Sequence, residues 1–420
     1  MGLLEIVSPI PPIMTGTASY MRLIVKRIGA LLGALDAPVT LVCDDTTWER
    51  DGIAGQMPDR FLGLEVKSFR QVEASPARGT TRVYFLANND KHVYAHQMVA
   101  RQDAGAGARI VSVLHDPSMF MVHRHMERSP GVDFSANDLV AATRSQLGVA
   151  SDFLVRARIN HWLPDDFDFS THCMGPALAK SDEIWVHSLY GANRVRFEND
   201  FIGARCRKIK VCGHPHDTIS HAQRERVGTA RFTIGFFGWV TPPKRLDSVL
   251  RGLAHALERL PADMRSSVYL QVVGKRTPKS DYDPEALSLS LGLSDVVEFI
   301  DYPSTDEFEA RIASSDLVFN LRYPSCGESS GTLASAGHSG VRVVCSRYQA
   351  FREAEGVWRY VGVATPYEIL EISEAIIDAV KEWVIGRLDG ACNNDLSAQY
   401  TATIDKLLVE EALKLLVQSK

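Results

Sequence analysis

The chain has 420 residues, 46 Lys and Arg against 51 Asp and Glu for a formal net charge of −5, and 45% hydrophobic residues. That length exceeds one ordinary core and suits two domains of about 200 residues each. The acidic balance gives no support to a nucleic-acid partner, and no apolar run approaches the roughly 18 residues that suggest a membrane span.

The opening "MGLLEIVSPIPP" lacks a basic region and meets Glu5 early, so it reads as a first strand and not as a signal peptide. Next, "PIPPIMTGTASY" sets Gly16 between Thr15 and Thr17, just before the helical pattern "ASYMRLIVKRIGALLGAL". Glycine tolerates a left-handed turn and lets backbone approach a ligand, although a bare strand-to-helix turn fits equally well. "VTLVCDD" is the second strand. Its Asp44 and Asp45 could pass for a ribose-binding carboxylate, but no Gly-x-Gly-x-x-Gly precedes them. "RVYFLAN" ends on Asn88 with His92 close behind, and "RIVSVLHD" ends on His115 and Asp116. Ligands of doubly wound sheets bind at the carboxyl ends of the strands, so these polar groups are site candidates, with Asp116 expected to tune the charge of His115. Residues 131–173 exceed a simple crossover and read as an insertion of short helices near the cleft. The Asp-x-Asp pair of "DDFDF", 165–169, reads there as surface without a metal partner. "EIWVHS" then adds a third strand-end histidine, His187.

The polar run "ISHAQRERVGTAR" lacks an apolar period and marks the boundary. The division is an N-terminal domain over 1–217, a linker over 218–231, a second domain over 232–395, and an amphipathic C-terminal helix within 396–420 packing on the domains. The second domain repeats the alternation, with "FTIGFFG", "VYLQVVG", "VVEFIDY", "DLVFNLR" and "VRVVCS" as strands. Short apolar runs alternating with helical stretches mean parallel α/β architecture, here two doubly wound, Rossmann-like halves with a cleft between them. After "FTIGFFG", Gly238 is followed by Lys244 and Arg245 at a helix start, where cations oppose the helix dipole unless an anion is near. After "DLVFNL" comes "RYPSCGESSGTL", a strand turning into a small-residue helix. Gly331, Thr332 and Leu333 would offer backbone N–H groups to a diphosphate, and Glu328 would accept hydrogen bonds from sugar hydroxyls. A plain helix cap is the other reading of Glu328. Seven cysteines, at 43, 173, 206, 212, 326, 345 and 392, form no CxxC pair or Cys/His cluster. They read as reduced thiols of a cytoplasmic protein, with peripheral contact to the inner face of a membrane left open.

Taken in order, "SPIPPIMTGTASY", "LANNDKH", "SVLHDP", "EIWVHS", "IGFFGWVTPPKRLDSVL", "LQVVGK", "VVEFIDYPSTDEFEARIASSDLVFNLRYPSCGESSG" and "GVRVVCS" resemble the family-4 retaining glycosyltransferases of the GT-B fold. Most of the chain is covered, and the match is best to a bacterial branch with an LRYP…GE(T/S)SG motif, often involved in cell-surface polysaccharides. The resemblance implies transfer of a hexose-type sugar from a nucleoside diphosphate sugar to a glycan or lipid-linked acceptor, with no catalytic metal or other cofactor. It places His115 at the transferred sugar, Lys244 at the diphosphate, and Glu328 near the donor sugar. Gly16 and Thr17 lie in the loop by the phosphates, with Arg245, Gly331, Thr332 and Leu333 completing the diphosphate cradle. The nucleoside falls against Gly274, Lys275 and Arg276 and against Tyr302, Pro303 and Ser304. Asn88, His92, Asp116 and His187 take the acceptor or sugar side. Two departures stand out: Trp239 replaces an arginine common in the family, and Ala336 stands where a second glutamate usually grips ribose. Arg245 is the expected substitute for the missing charge. A GT-B epimerase or phosphorylase and a non-catalytic sugar-nucleotide-binding protein are the alternatives.

Overall fold

The computed structural model describes residues 3–34, 37–50, 53, 57–73, 76–102, 107–203, 206, 208–215, 231–276, 282–301, 303–354, 356–389 and 404–418. The chain divides into two compact units. One comprises Met1–Pro215, Cys326–Ser329 and Tyr400–Lys420, the other His216–Ser325 and Ser330–Gln399.

The first unit is built on strands β1 (Leu4–Val7), β2 (Val39–Cys43), β3 (Arg60–Phe61), β4 (Leu64–Ser68), β5 (Thr81–Leu86), β6 (Arg109–Leu114), β7 (Glu183–Val186) and β8 (Lys208–Val211). They form one sheet in the order β3-β4-β2-β1-β5-β6-β7-β8. Every neighbouring pair is parallel except β3 with β4. The central strands are buried throughout because helices cover both faces, which is why they read as unbroken apolar runs. Register at the centre is also marked by a buried ion pair: Glu5 on β1 lies opposite Arg82 on β5, and the Arg82 Nε sits 2.5 Å from the carboxylate. The strands that sequence reading missed are those at the margins. β4 alternates buried and exposed positions, and β8, "KIKV", is partly exposed along its length. Neither carries a long apolar run.

The second unit has β9 (Phe232–Phe237), β10 (Val268–Val273), β11 (Val297–Ile300), β12 (Leu317–Asn320), β13 (Arg342–Ser346) and β14 (Arg359–Val361). The order is β11-β10-β9-β12-β13-β14, all parallel. On one face, Leu246, Val249, Leu250 and Leu253 of the helix Leu246–Arg259 join Ile372, Ile376 and Val380 of the helix Glu368–Asp389 in one core. The other face is closed by a smaller cluster containing Ile312, Ala336 and Phe351. Both units therefore have the doubly wound architecture expected from the sequence.

Each sheet has a point where strand order reverses: between β1 and β5 in the first, between β9 and β12 in the second. Ligands of open α/β sheets bind at such reversals, beyond the carboxyl ends of the strands.

The region 131–173 contains the helices Ala136–Leu147, Ser151–Ile159 and Asp166–Ser170, the short helices that its length suggested. Of its acidic pair, Asp166 is exposed as expected and Asp168 departs from the surface reading. Asp168 is buried, and both its oxygens accept from Arg158, at 2.8 and 2.9 Å. A carboxylate enclosed with a bidentate guanidinium is a structural ion pair. The C-terminal helix Ile404–Gln418 belongs to the first unit, where Leu408 and Ala412 enter the core beside Ile24 and Ile28 and buried Glu411 pairs with Arg109. The expected linker lies outside the described residues except for Arg231.

Candidate functional site

In the first unit, the loop after β1 and the segment after β5 meet at the strand-order reversal. The His92 Nδ1 stands 2.8 Å from the Phe85 carbonyl. A carbonyl only accepts, so Nδ1 carries the proton and Nε2 accepts from the Thr17 hydroxyl, 2.7 Å away. Thr17 in turn accepts from Thr15 at 2.9 Å, and Thr15 Oγ1 accepts the Ala18 N–H at 3.0 Å. This run of bonds fixes the start of the helix Gly16–Ala34 against β5. Burial pushes His92 down to about 4, so the imidazole is neutral and suited to accept. Both of its ring nitrogens are thus engaged within the protein, by Thr17 and by the Phe85 carbonyl. Gly16 also departs from expectation: it is absent from the positive-φ glycines, and a Cβ there would meet nothing within 4 Å. What Gly16 provides is open space above an exposed backbone, with no left-handed turn.

Asn88 and Asp116 tie strand ends together. The Asp116 carboxylate accepts the Asn88 N–H at 2.7 Å, and the Asn88 side chain accepts from the Val122 N–H at 2.9 Å. Asn88 also donates to Cys326 Sγ at 3.3 Å, while the Ser118 N–H donates to the Cys326 carbonyl at 3.0 Å. Cys326–Ser329 is grouped with this unit through such contacts, and half-buried Glu328 lies in that segment. The Asn88 amide is committed on both sides, so it positions the segment carrying Glu328.

His115 is buried in a group of aromatic rings. Tyr20 packs edge-on against His115 at 4.6 Å and against His214 at 4.8 Å, and His187 lies 5.2 Å from His115. Burial, then the nearby His187, His92 and His214, hold His115 well below the ordinary histidine range. Burial, then His214, takes His187 down to about 3, although its Nδ1 is near the Cys212 carbonyl. The charge state of His115 is therefore set by burial and neighbouring imidazoles, correcting the expectation that Asp116 tunes it. A neutral imidazole can exchange hydrogen bonds with hydroxyls without adding charge. The sequence reading overlooked Tyr20 and His214. His214 follows β8, an edge strand too polar to announce itself.

In the second unit, two glycines bring the ends of β9 and β10 together. Gly274 has φ +154°, and a Cβ there would lie 2.0 Å from the Gly238 carbonyl oxygen. Gly238 has φ +92°, and a Cβ on it would lie 2.4 Å from Lys244 Nζ and 4.0 Å from Thr332 Oγ1. Only glycine fits either place. Lys244 Nζ also donates to the Phe237 carbonyl at 2.9 Å, and the Tyr323 N–H donates to the Pro243 carbonyl at 2.7 Å. The turn carrying Lys244 is thereby fastened to the chain leaving β12. Lys244, Gly238 and Thr332 converge at the reversal between β9 and β12.

The helix Gly331–His338 starts there, with Ser330 as its cap. Ser330 Oγ accepts the Leu333 N–H at 3.3 Å and is held by Asn320 Nδ2 at 3.0 Å. The Leu333 amide is thus already satisfied, which narrows the expected anion cradle to the first-turn amides of Gly331 and Thr332. Arg245 departs further from expectation. Its guanidinium makes a two-point pair with buried Glu368, at 2.9 and 2.8 Å, and also bonds Ser248 at 3.0 Å. It joins two helices of the core layer and does not replace the charge missing at Trp239.

The remaining positions are divided. Lys275 Nζ sits over the Trp239 ring, 5.2 Å from its centroid, and the Lys275 carbonyl accepts the Val240 N–H at 2.9 Å. Arg276 is engaged by Asp301 at 2.9 Å and by Glu285. Exposed Ser304 caps the helix Thr305–Ser314 by accepting the Glu307 N–H, with Pro303 beside it, and Tyr302 lies outside the described residues. Ala336 is wholly buried, so that position offers a ribose nothing.

No protein-family model matches the chain, and no curated protein matches it. Among solved structures, it is similar to HepE of Anabaena in complex with UDP, with 14% identity, a TM-score of 0.55, and coverage of 100% of this chain and 98% of that one. It is similar to WaaG, a glycosyltransferase involved in lipopolysaccharide biosynthesis, with 14% identity, a TM-score of 0.53, and coverage of 98% and 99%. The α,α-trehalose 6-phosphate synthase of Burkholderia multivorans matches at 12% identity with a TM-score of 0.54, covering 100% of both chains. At such identities the likeness establishes the fold, which is GT-B.

Proposed function

We propose that the chain is a retaining glycosyltransferase that moves a hexose-type sugar from a nucleoside diphosphate donor to a hydroxyl of a glycan or lipid-linked acceptor. The observation that carries this reading is the convergence of the Lys244 ammonium, the Gly238 backbone and Thr332 at the start of a helix. Breaking a bond from a sugar to a diphosphate leaves negative charge on phosphate oxygens. A fixed ammonium and helix-start amides stabilise that charge as it forms. Lys244 takes that part, with the Gly331 and Thr332 amides. Charge met in this way requires no metal in the proposed reaction. In the first unit, neutral His115 and Glu328 are suited to exchange hydrogen bonds with sugar hydroxyls. The departing phosphate helps remove the acceptor proton, so attack occurs on the face the leaving group vacates. Complexes of the similar protein HepE with UDP and with UDP-glucose add support. A role in cell-surface polysaccharide synthesis follows from the family resemblance and belongs to the proposal.

The test is thermal stabilisation by UDP, GDP, dTDP, ADP and CDP, each with and without magnesium. A bound nucleotide at about a hundred times its Kd adds roughly 2.7 kcal/mol, a readable shift. One responder, independent of magnesium and lost in Lys244→Met, is the expected result; no responder would overturn the reading. Anomeric configuration of the product, followed by NMR, tests retention.

A further inference from the structure

Three basic residues besides Lys244 lie near the ends of β9 and β10, and they have different surroundings. Arg245 is locked to Glu368, and Arg276 is paired with Asp301 and Glu285. Lys275 is exposed, has no carboxylate within ion-pair distance among the described residues, and has its ammonium over the half-buried Trp239 ring. The backbone holds it there: Val240 N–H bonds the Lys275 carbonyl, and Gly274 is pressed against the Gly238 carbonyl. Trp239 is joined to Gly238, the residue against which Lys244 Nζ rests. Two ammonium groups thus flank one dipeptide.

We infer that Lys275 is a second cation for the donor diphosphate and that Trp239 is the positioning residue which presents it, an inference that rests on the reading of this site as a nucleoside diphosphate site. An indole face attracts an ammonium while leaving its N–H groups outward, so the lysine is held in place without being neutralised. A carboxylate in the same position would cancel the charge, as occurs at Arg245 and Arg276. A diphosphate carries more negative charge than Lys244 alone can balance, and a second lysine at the same strand ends meets it. Lys275 thereby acts on the phosphates, which differs from the nucleoside contact that the family resemblance implies, and it selects diphosphates over monophosphates.

The experiment titrates the full-length protein with UDP, GDP, dTDP, ADP and CDP and with the matching monophosphates by calorimetry. Lys275→Met is expected to weaken the diphosphate that binds by roughly tenfold and its monophosphate much less. Lys275→Arg restores the preference. Trp239→Leu lowers it, and Trp239→Tyr, which keeps an aromatic face, recovers it. Equal weakening of both nucleotides in Lys275→Met would overturn the inference in favour of a nucleoside contact, and unchanged affinity would overturn it outright. In both cases binding by the parent protein keeps the donor-site reading intact. Absence of binding by the parent protein would refute that reading and the inference together.

Discussion

Acid should unfold the first unit before the second. His92, His96, His115, His123 and His172 are all buried in the first unit. Burial is the largest cause of depression for each: His92 and His123 fall to about 4, His172 to about 3, and His96 and His115 well below the usual range. A histidine whose folded pKa lies below its unfolded value, near 6.5, binds protons better when unfolded. Its contribution is intact above about pH 6.5 and is lost as pH falls toward the folded value. At pH 5 the unfolded chain gains about 2 kcal/mol per histidine, since 1.5 pH units at 1.36 kcal/mol each separate the solution from the unfolded pKa. For His92, His123 and His172 together this is about 6 kcal/mol, a large part of the stability of an ordinary domain, and His96 and His115 act in the same direction. Protonating the His92 Nε2 also removes the acceptor of the Thr17 hydroxyl, so the loop at Gly16 should loosen early. The assay is urea denaturation at pH steps from 7.5 to 5, with hydrogen exchange by mass spectrometry to assign the melting unit. The expected result is a steep fall in the midpoint below pH 6.5 and early exchange around β5 and β6. A midpoint unchanged between pH 7.5 and 5.5, or second-unit segments exchanging first, would refute the reasoning.

Two further outcomes concern the second unit. Gly274→Ala places a Cβ against the Gly238 carbonyl oxygen, a backbone atom that cannot rotate away. It should cost ~3 kcal/mol by urea denaturation and also weaken nucleoside diphosphate binding, because the Gly238–Lys244 geometry shifts with it. Glu368→Ala leaves the Arg245 guanidinium without its carboxylate and should destabilise the unit by about 3 kcal/mol. Arg245→Met should likewise lower stability while keeping the preference for diphosphate over monophosphate, as calorimetry on the same nucleotides would show.

The two doubly wound halves were legible because central strands covered on both faces must be apolar throughout, as in "RVYFLAN" and "FTIGFFG". Strand ends, and hence the neighbourhood of Gly16, Asn88, His115, Gly238 and Glu328, follow directly from where those runs stop. The marginal strands β4, β8 and β14 were not legible, since an edge needs fewer apolar residues and their sequences carry charge. Chain order alone named the residues beyond each strand. Which of them stay free to meet a ligand depended on partners far away in sequence. Arg245 and Lys275 are both basic residues near strand ends, yet Glu368, 123 positions on, takes Arg245 out of service while Lys275 rests over the Trp239 face and stays exposed. His115 owes its neutrality to His187 and His214 as well as to burial, and not to the Asp116 beside it in sequence. Local pattern determines secondary structure through side-chain periodicity. The charge and availability of a side chain are set by desolvation and by neighbours in space, which only the folded arrangement decides.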